Sequence, residues 1–237
     1  MRTIKGIKII FEDQDLIVLE KSVGVLTCET RRGGEYTVES ALSDYVRKGQ
    51  SKSRRRVYLV QRLDRETSGV MMVAKSEEVQ DYFRSNWNEI TEKTYLARVV
   101  GQMESERGVF ESYLAEDPRT LKVHSVPGPQ QQGAKFARTE WRVLPDPLAG
   151  RRIRAYENTT IVEAKLHTGR KNQIRVHFAE AGHPVLGDAK YSAPGAQRPR
   201  APKRGGRLCL HALRLAFVHP RTHERMEFST PAPDFAG

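Results

Sequence analysis

Five consecutive apolar residues, Val70-Met71-Met72-Val73-Ala74, constrain this chain more than any other feature. A run so short and so uniformly apolar is the pattern of a strand buried on both faces. Its flanks are equally informative. A brief strand candidate, residues 57–60, leads into a compact polar loop, residues 61–69. After the run, Ser76 is a good N-cap for a helix over 77–87, where Val79, Tyr82, Phe83 and Trp87 fall at helical spacing.

The rest of the chain surrounds this strand with mixed elements. Residues 7–11 and 16–19 read as a hairpin about the turn 12–15. Residues 38–46 form a short helix candidate with Val38, Leu42 and Tyr45 on one face. Strands are expected over 93–100, 134–144 and 160–166. Residues 173–181 read as a helix with Ile174, Phe178 and Ala181 on one face, stopped by Gly182 and Pro184. Residues 210–218 alternate, and a last strand follows the turn 219–223 near Phe228. The order is not a regular βαβ series, so the fold class is α+β. There is no internal repeat.

Composition excludes several classes. With 2 Cys and 18 Gly among 237 residues, the chain is neither a disulfide scaffold nor collagen-like. Cys28 and Cys209 are expected as reduced thiols. No apolar stretch nears the ~20 residues that span a bilayer, and the first residues lack a secretory signal. A soluble, cytoplasmic protein without a membrane partner is the expectation. The length suits one catalytic-size domain, or a core split into two lobes.

The net charge of +11 is clustered. Arg47, Lys48, Lys52, Arg54, Arg55 and Arg56 form one acid-free run. Arg198, Arg200, Lys203, Arg204 and Arg207 form another, in the most disorder-prone segment, 198–206. Arg151, Arg152 and Arg154 make a smaller third. One such run is an ordinary solvated loop. Three, set among Gly, Pro and Ser, suggest flexible arms that follow a phosphate backbone.

Asp64 is the residue in the polar loop best placed for chemistry. Arg62 and Arg65 flank it, and guanidinium groups favour the ionised form of a carboxyl. Such an anion can act as nucleophile or base at a sugar carbon. Residue type alone favours the blander role, an Asp–Arg pair that orders a turn. Glycosidase chemistry needs a second carboxylate, and Glu66 is too near in the chain to face Asp64 freely. No metal site is assigned, since the single i,i+4 His pair, His219 and His223, encloses Pro220. There is no P-loop and no GxGxxG.

At Arg62-Leu63-Asp64-Arg65-Glu66-Thr67-Ser68-Gly69 the sequence resembles the RluA-type pseudouridine synthases, whose hallmark is H-R-L-D-x-x-T-S-G before an apolar strand. Lys93-Thr94-Tyr95-Leu96-Ala97 resembles their K-x-Y-x-A block. Residues 168–177 resemble T-G-R-x-H-Q-I-R-V-H. Residues 182–188 with Tyr191 resemble G-H-P-I-x-G-D-x-x-Y, and Leu210-His211-Ala212 resembles a late L-H-A element. The blocks keep family order over most of the chain. Gln61 and Asn172 stand where the family usually has His, and Ser22 replaces the Pro of an early K-P-x-G.

The resemblance implies a pseudouridine synthase fold: a largely antiparallel mixed sheet with flanking helices and a basic central cleft. It implies one catalytic domain over 1–237, with no accessory N-terminal RNA-binding domain. The implied activity is isomerisation of uridine to pseudouridine in ribosomal or transfer RNA, without cofactor or metal. Asp64 is then the catalytic carboxylate, Tyr95 the residue that stacks on uracil and helps remove its C5 proton, and Arg175 the partner of the carboxylate. The alternatives are a core-packed strand Tyr and a surface Arg. Arg62 would fill the vacancy of an extruded base or grip the displaced backbone. Arg65, Arg170, Lys171, Arg54, Arg55 and Arg56 are the further RNA-binding candidates. His177, His211 and Asp188 are expected to be structural, the histidines through backbone partners. RNA is the only partner implied, and a monomer is the default. A catalytically silent RNA-binding protein or RNA-folding aid on the same fold is the competing reading; a hydrolase is a third.

Overall fold

The computed structural model describes residues 2–30, 33–50, 52–148, 156–192 and 207–236. The runs at Arg151, Arg152 and Arg154 and at 198–206 therefore lie outside the described residues. The chain divides into two compact units. Unit 1 comprises Met1–Glu92 and Ala212–Thr230, and unit 2 comprises Lys93–His211 and Pro231–Gly237.

Unit 1 is built on β1 (Arg2–Ile4), β2 (Ile7–Glu12), β3 (Leu16–Lys21), β4 (Tyr58–Leu59) and β5 (Ser68–Ala74). The strand order is β1-β2-β3-β5-β11, where β11 is Leu210–Val218; β12 (Arg225–Ser229) pairs with β11, and β4 pairs with the end of β5. Every residue of β5 is buried, as the apolar run demands. The helix α2 (Glu77–Ile90) packs against it and buries Val79 and Phe83, and α1 (Val38–Arg47) buries Val38 and Leu42. The Phe83 ring meets Phe217 edge-on at 5.6 Å. Ser76 caps α2 by accepting from the Val79 N–H at 3.2 Å. Thr37 and Ser40 form a capping box on α1. Gly69, at φ +114°, lets β11 approach closely: a Cβ there would lie 2.1 Å from the Ala212 carbonyl oxygen.

Unit 2 is antiparallel, in the order β6 (Thr91–Val100), β10 (Thr159–Leu166), β9 (Lys135–Val143), β7 (Arg107–Glu116), β8 (Val123–Val126). The helix α3 (Gln173–Glu180) covers one face. Phe178 packs edge-on to Phe110 at 5.1 Å and to Trp141 at 6.2 Å. Gly108, directly across from Trp141, leaves room for the indole, whose ring lies 2.6 Å from where a Cβ would be.

A fully buried arginine closes unit 2. Arg98 holds Asp146 through two bonds of 2.8 and 2.9 Å, donates to Thr159 Oγ1 at 3.0 Å, and reaches the Phe235 carbonyl at 2.8 Å. The Tyr156 ring lies 4.4 Å from its guanidinium. All five donors of a buried guanidinium require such partners. This arrangement incorporates the segment around Phe235 into the unit, although β11 and β12 intervene in the chain.

Candidate active site

Asp64 belongs to unit 1 and is half-buried in the turn between β4 and β5. The turn is held by its main chain. The Thr67 N–H donates to the Asp64 carbonyl at 3.1 Å. The Thr27 hydroxyl clasps Leu63 on both sides, donating to its carbonyl at 2.7 Å and accepting from its N–H at 3.2 Å. The Gly24 N–H donates to the Arg65 carbonyl at 2.8 Å, and Arg65 Nε returns to the Gly24 carbonyl at 3.2 Å. Lys21 is fully buried and donates to the carbonyls of Val25, Ser22 and Arg65 at 2.8, 3.1 and 3.3 Å. Thr67 and Ser68 are buried, whereas Arg62 and Arg65 are exposed. A half-buried carboxylate thus rises from a rigid turn flanked by two solvent-facing cations.

Tyr95 and Arg175 belong to unit 2. Tyr95 lies on β6, is 9% exposed and pairs across the ladder with Ala164. Arg175 extends from α3 and is gripped bidentately by Asp188, Nε to Oδ2 at 2.7 Å and Nη2 to Oδ1 at 2.8 Å. The Asp188 side chain is fully buried and also accepts from the N–H groups of Lys190 and Tyr191 at 2.8 and 3.1 Å. The Tyr191 ring lies 5.1 Å from the Arg175 guanidinium. Its hydroxyl donates to Asn172 Oδ1 at 3.0 Å. Asn172 sits at φ +54°, a left-handed conformation that Asn tolerates well. Two residues before Tyr95 on the same face of β6, Lys93 is buried, and burial together with the Arg170 charge lowers its ammonium to about 8.

The remaining RNA-binding candidates are placed as follows. Arg170 donates through Nε to the Phe136 carbonyl at 2.7 Å. Lys171 pairs with Glu116. Arg54, Arg55 and Arg56 are exposed. Their loop is not the free arm suggested by composition, because Arg47 Nε donates to the Arg55 carbonyl at 3.1 Å and the Val57 N–H to Ser43 Oγ at 3.3 Å. Arg56 pairs with Glu77 at 3.1 Å and lies 4.8 Å from the Tyr58 ring.

Other polar groups are placed as follows. His177 uses side-chain rather than backbone partners, Thr139 Oγ1 at 2.9 Å and Ser112 Oγ at 3.1 Å, and burial lowers it to about 4. His211 is lowered to about 4 by burial and by Arg207. Cys28 and Cys209 are both free thiols, and burial pushes Cys209 up to about 12. Among the described residues, one trio could approach a cation, Asp13, Asp15 and His219. Its atoms are committed elsewhere: Asp15 grips Arg221 at 2.6 and 2.7 Å, and His219 Nε2 meets Asp13 Oδ2 at 2.8 Å.

The anchors of the Asp64 turn escape a reading of the sequence. Lys21 carried a signal, a cation at the inward end of an apolar strand. Thr27 carried none, since it acts on a main chain 36 residues away.

Comparison with known proteins gives a consistent answer. The profile of the RNA pseudouridylate synthase family matches residues 15–180. The chain is 32% identical over 231 residues to the ribosomal large subunit pseudouridine synthase D of Nitrosomonas europaea, covering 96% of this chain and 62% of that protein. It is 34% identical over 232 residues to an uncharacterized RNA pseudouridine synthase of Aquifex aeolicus, covering 96% and 70%. Among solved structures, human RNA pseudouridylate synthase domain containing 1 shares the fold, with a TM-score of 0.70 at 24% identity, over 98% of this chain and 86% of that one. Among the described residues, no helix is long and apolar enough to cross a membrane. A profile spanning Asp64, Tyr95 and Arg175, together with these relatives, shows that the chain belongs to the RluA-type RNA pseudouridylate synthase family.

Proposed function

We propose that this protein isomerises uridine to pseudouridine in structured RNA, with Asp64 as the reacting carboxylate. The reaction breaks the C1′–N1 bond, turns the uracil, and forms a C1′–C5 bond. C5 loses a proton and N1 gains one, so atoms and charge balance without a cofactor or a metal. Asp64 serves by attacking the sugar or by taking the C2′ proton. Tyr95 stacks on the uracil and helps remove the C5 proton. Arg175 is the cation that partners the carboxylate. Arg62, Arg65, Arg170, Lys171 and Arg54 to Arg56 contact the RNA, with Arg62 at the vacancy left by the extruded base.

The observation that carries this reading is the Asp64 turn, a half-buried acid whose neighbouring peptides are fixed by Thr27, Lys21 and Gly24. Fixed geometry around one carboxylate is what a covalent or proton-transfer role requires. The Nitrosomonas relative is named for the large ribosomal subunit, which makes ribosomal RNA the first substrate to test and transfer RNA the second. We place the protein in the cytoplasm with that RNA, acting as a monomer without an obligatory protein partner.

The test is release of label from RNA carrying tritium at uracil C5. Wild type is expected to release it, and Asp64→Asn to lower the rate by a factor on the order of a thousand or more with unchanged RNA affinity. RNA binding with no release from any ribosomal or transfer RNA would mean a silent binding protein. Free uracil or strand scission would mean a hydrolase.

A further inference from the structure

Unit 1 contains a second charged feature besides the Asp64 turn. A cavity of about 580 Å³ is lined by Lys48, Arg55, Arg56, Lys75, Tyr45 and Glu12, among others. None of these residues belongs to the Asp64 turn or its anchors. Four cations thus face one carboxylate.

That carboxylate is already committed. Glu12 accepts from Lys75 Nζ at 2.6 Å and from the Tyr45 hydroxyl at 2.8 Å. Arg56 is spoken for by Glu77 and the Tyr58 ring. Lys48 and Arg55 have no acidic partner among the described residues. Both are nonetheless held in place through the main chain. Lys48 caps α1 at φ +51°, its N–H donating to the Tyr45 carbonyl. Arg55 is tied at its carbonyl by Arg47 Nε and at its N–H by Ser53 Oγ, at 3.1 and 3.3 Å.

Two uncompensated cations fixed at the rim of a concavity repel each other and gain nothing for the fold. They gain a great deal from an anion, because the ordering cost of the loop has already been met. The cavity is open to solvent through exposed Lys48 and Arg55, which suits a polymer running across it. Its aromatic group, Tyr45, is engaged by Glu12, and its lining is mostly polar and charged, which does not suit a lipid surface.

We infer that the Lys48–Arg55–Lys75 cavity seats backbone phosphates of the RNA substrate in a stretch flanking the target uridine. The inference rests on the RNA reading above, and it assigns to unit 1 an affinity site separate from the chemistry. Arg and Lys at such a site contribute to binding without reading bases.

The double variant Lys48→Gln/Arg55→Gln tests it. Both side chains are exposed, so the fold is expected to persist, and the melting temperature verifies this. Binding to a protein-free large-subunit ribosomal RNA transcript is measured against salt, alongside kcat and KM for the transcript and for a short hairpin around its target. Removing two phosphate contacts should lower the salt slope by about two and weaken binding at moderate salt on the order of tenfold. KM should rise by a larger factor for the transcript than for the short hairpin. Arg119→Gln/Lys122→Gln, two exposed cations of unit 2, serves as the control and should leave the slope unaltered. An unchanged slope in the Lys48/Arg55 variant overturns the inference, as does an equal rise in KM for the transcript and for the short hairpin. If wild type binds the transcript but isomerises neither RNA, the isomerase reading fails while the slope still reports on the cavity.

Discussion

In unit 1 the turn that carries Asp64 is positioned by bonds to peptide groups, from the Thr27 hydroxyl, the Lys21 ammonium and the Gly24 amide. In unit 2 Arg175 is positioned by a buried carboxylate, Asp188, which is itself fixed by two amides. The first kind of anchor fixes a turn through its main chain. The second spends one edge of a guanidinium fork on structure and links the position of the cation to the charge of its anchor. The acid and the cation are therefore exposed to different perturbations.

The largest effect is expected from Asp188→Ala. It leaves Arg175 mostly buried without its anchor, and should cost about 3–5 kcal/mol by denaturant titration. Pairing Asp188→Leu with Arg175→Met should recover much of that stability without recovering activity. Full activity in Asp188→Ala would break the distinction between the two anchors.

Acid should separate the units next. His177 and His211, both in unit 2, are lowered to about 4 by burial, below the ~6.5 of the unfolded chain. The folded state binds fewer protons, so their stabilisation is complete above about 6.5 and is lost as pH falls towards 4. By pH 5 each should cost on the order of 1–2 kcal/mol. Asp15 of unit 1 behaves differently. Its bond to Arg221 holds its pKa below the usual carboxylate value, so its contribution is present above about 3.9 and lost only below that. Amide exchange at pH 7 and pH 5 should accelerate in β9 before β3, and His177→Phe should blunt the difference.

Smaller effects should come from the peptide anchors. Lys21→Met removes three bonds to carbonyls, of which that of Arg65 keeps another donor, the Gly24 N–H, and should cost about 2 kcal/mol. Thr27→Val keeps the shape but loses both bonds to Leu63. It should cost about 1 kcal/mol, with a fall in kcat at constant KM that Thr27→Ser restores. A change in KM alone would assign Thr27 to substrate binding instead.

The parts that were legible in the sequence were those whose burial has a period. The β2–β3 hairpin, the all-buried β5, the α2 helix with its Ser76 cap and the long β6 follow from apolar spacing. The strand β7 was missed because most of it is partly or fully exposed and its charged residues and Gly108 interrupt any apolar rhythm. The strands β1 and β8 are too short to show one. At the site, motif order nominated Asp64, Tyr95 and Arg175. The grip of Asp188 on Arg175 was not visible, because it depends on a side chain 13 residues away folding back beneath α3. Similarly, acid-free composition marked residues 47–56 as basic, but not that main-chain bonds tie the loop to α1.

The bond from Arg98 to the Phe235 carbonyl bears on how the protein is made. Unit 2 opens at Lys93 but draws on Pro231–Gly237, and unit 1 takes back Ala212–Thr230 after unit 2 has begun. A nascent chain emerging from its exit tunnel cannot finish the first unit before starting the second. Until translation passes residue 235, the Arg98 guanidinium lacks one of its buried acceptors, so the interior of unit 2 cannot be locked before that residue is made.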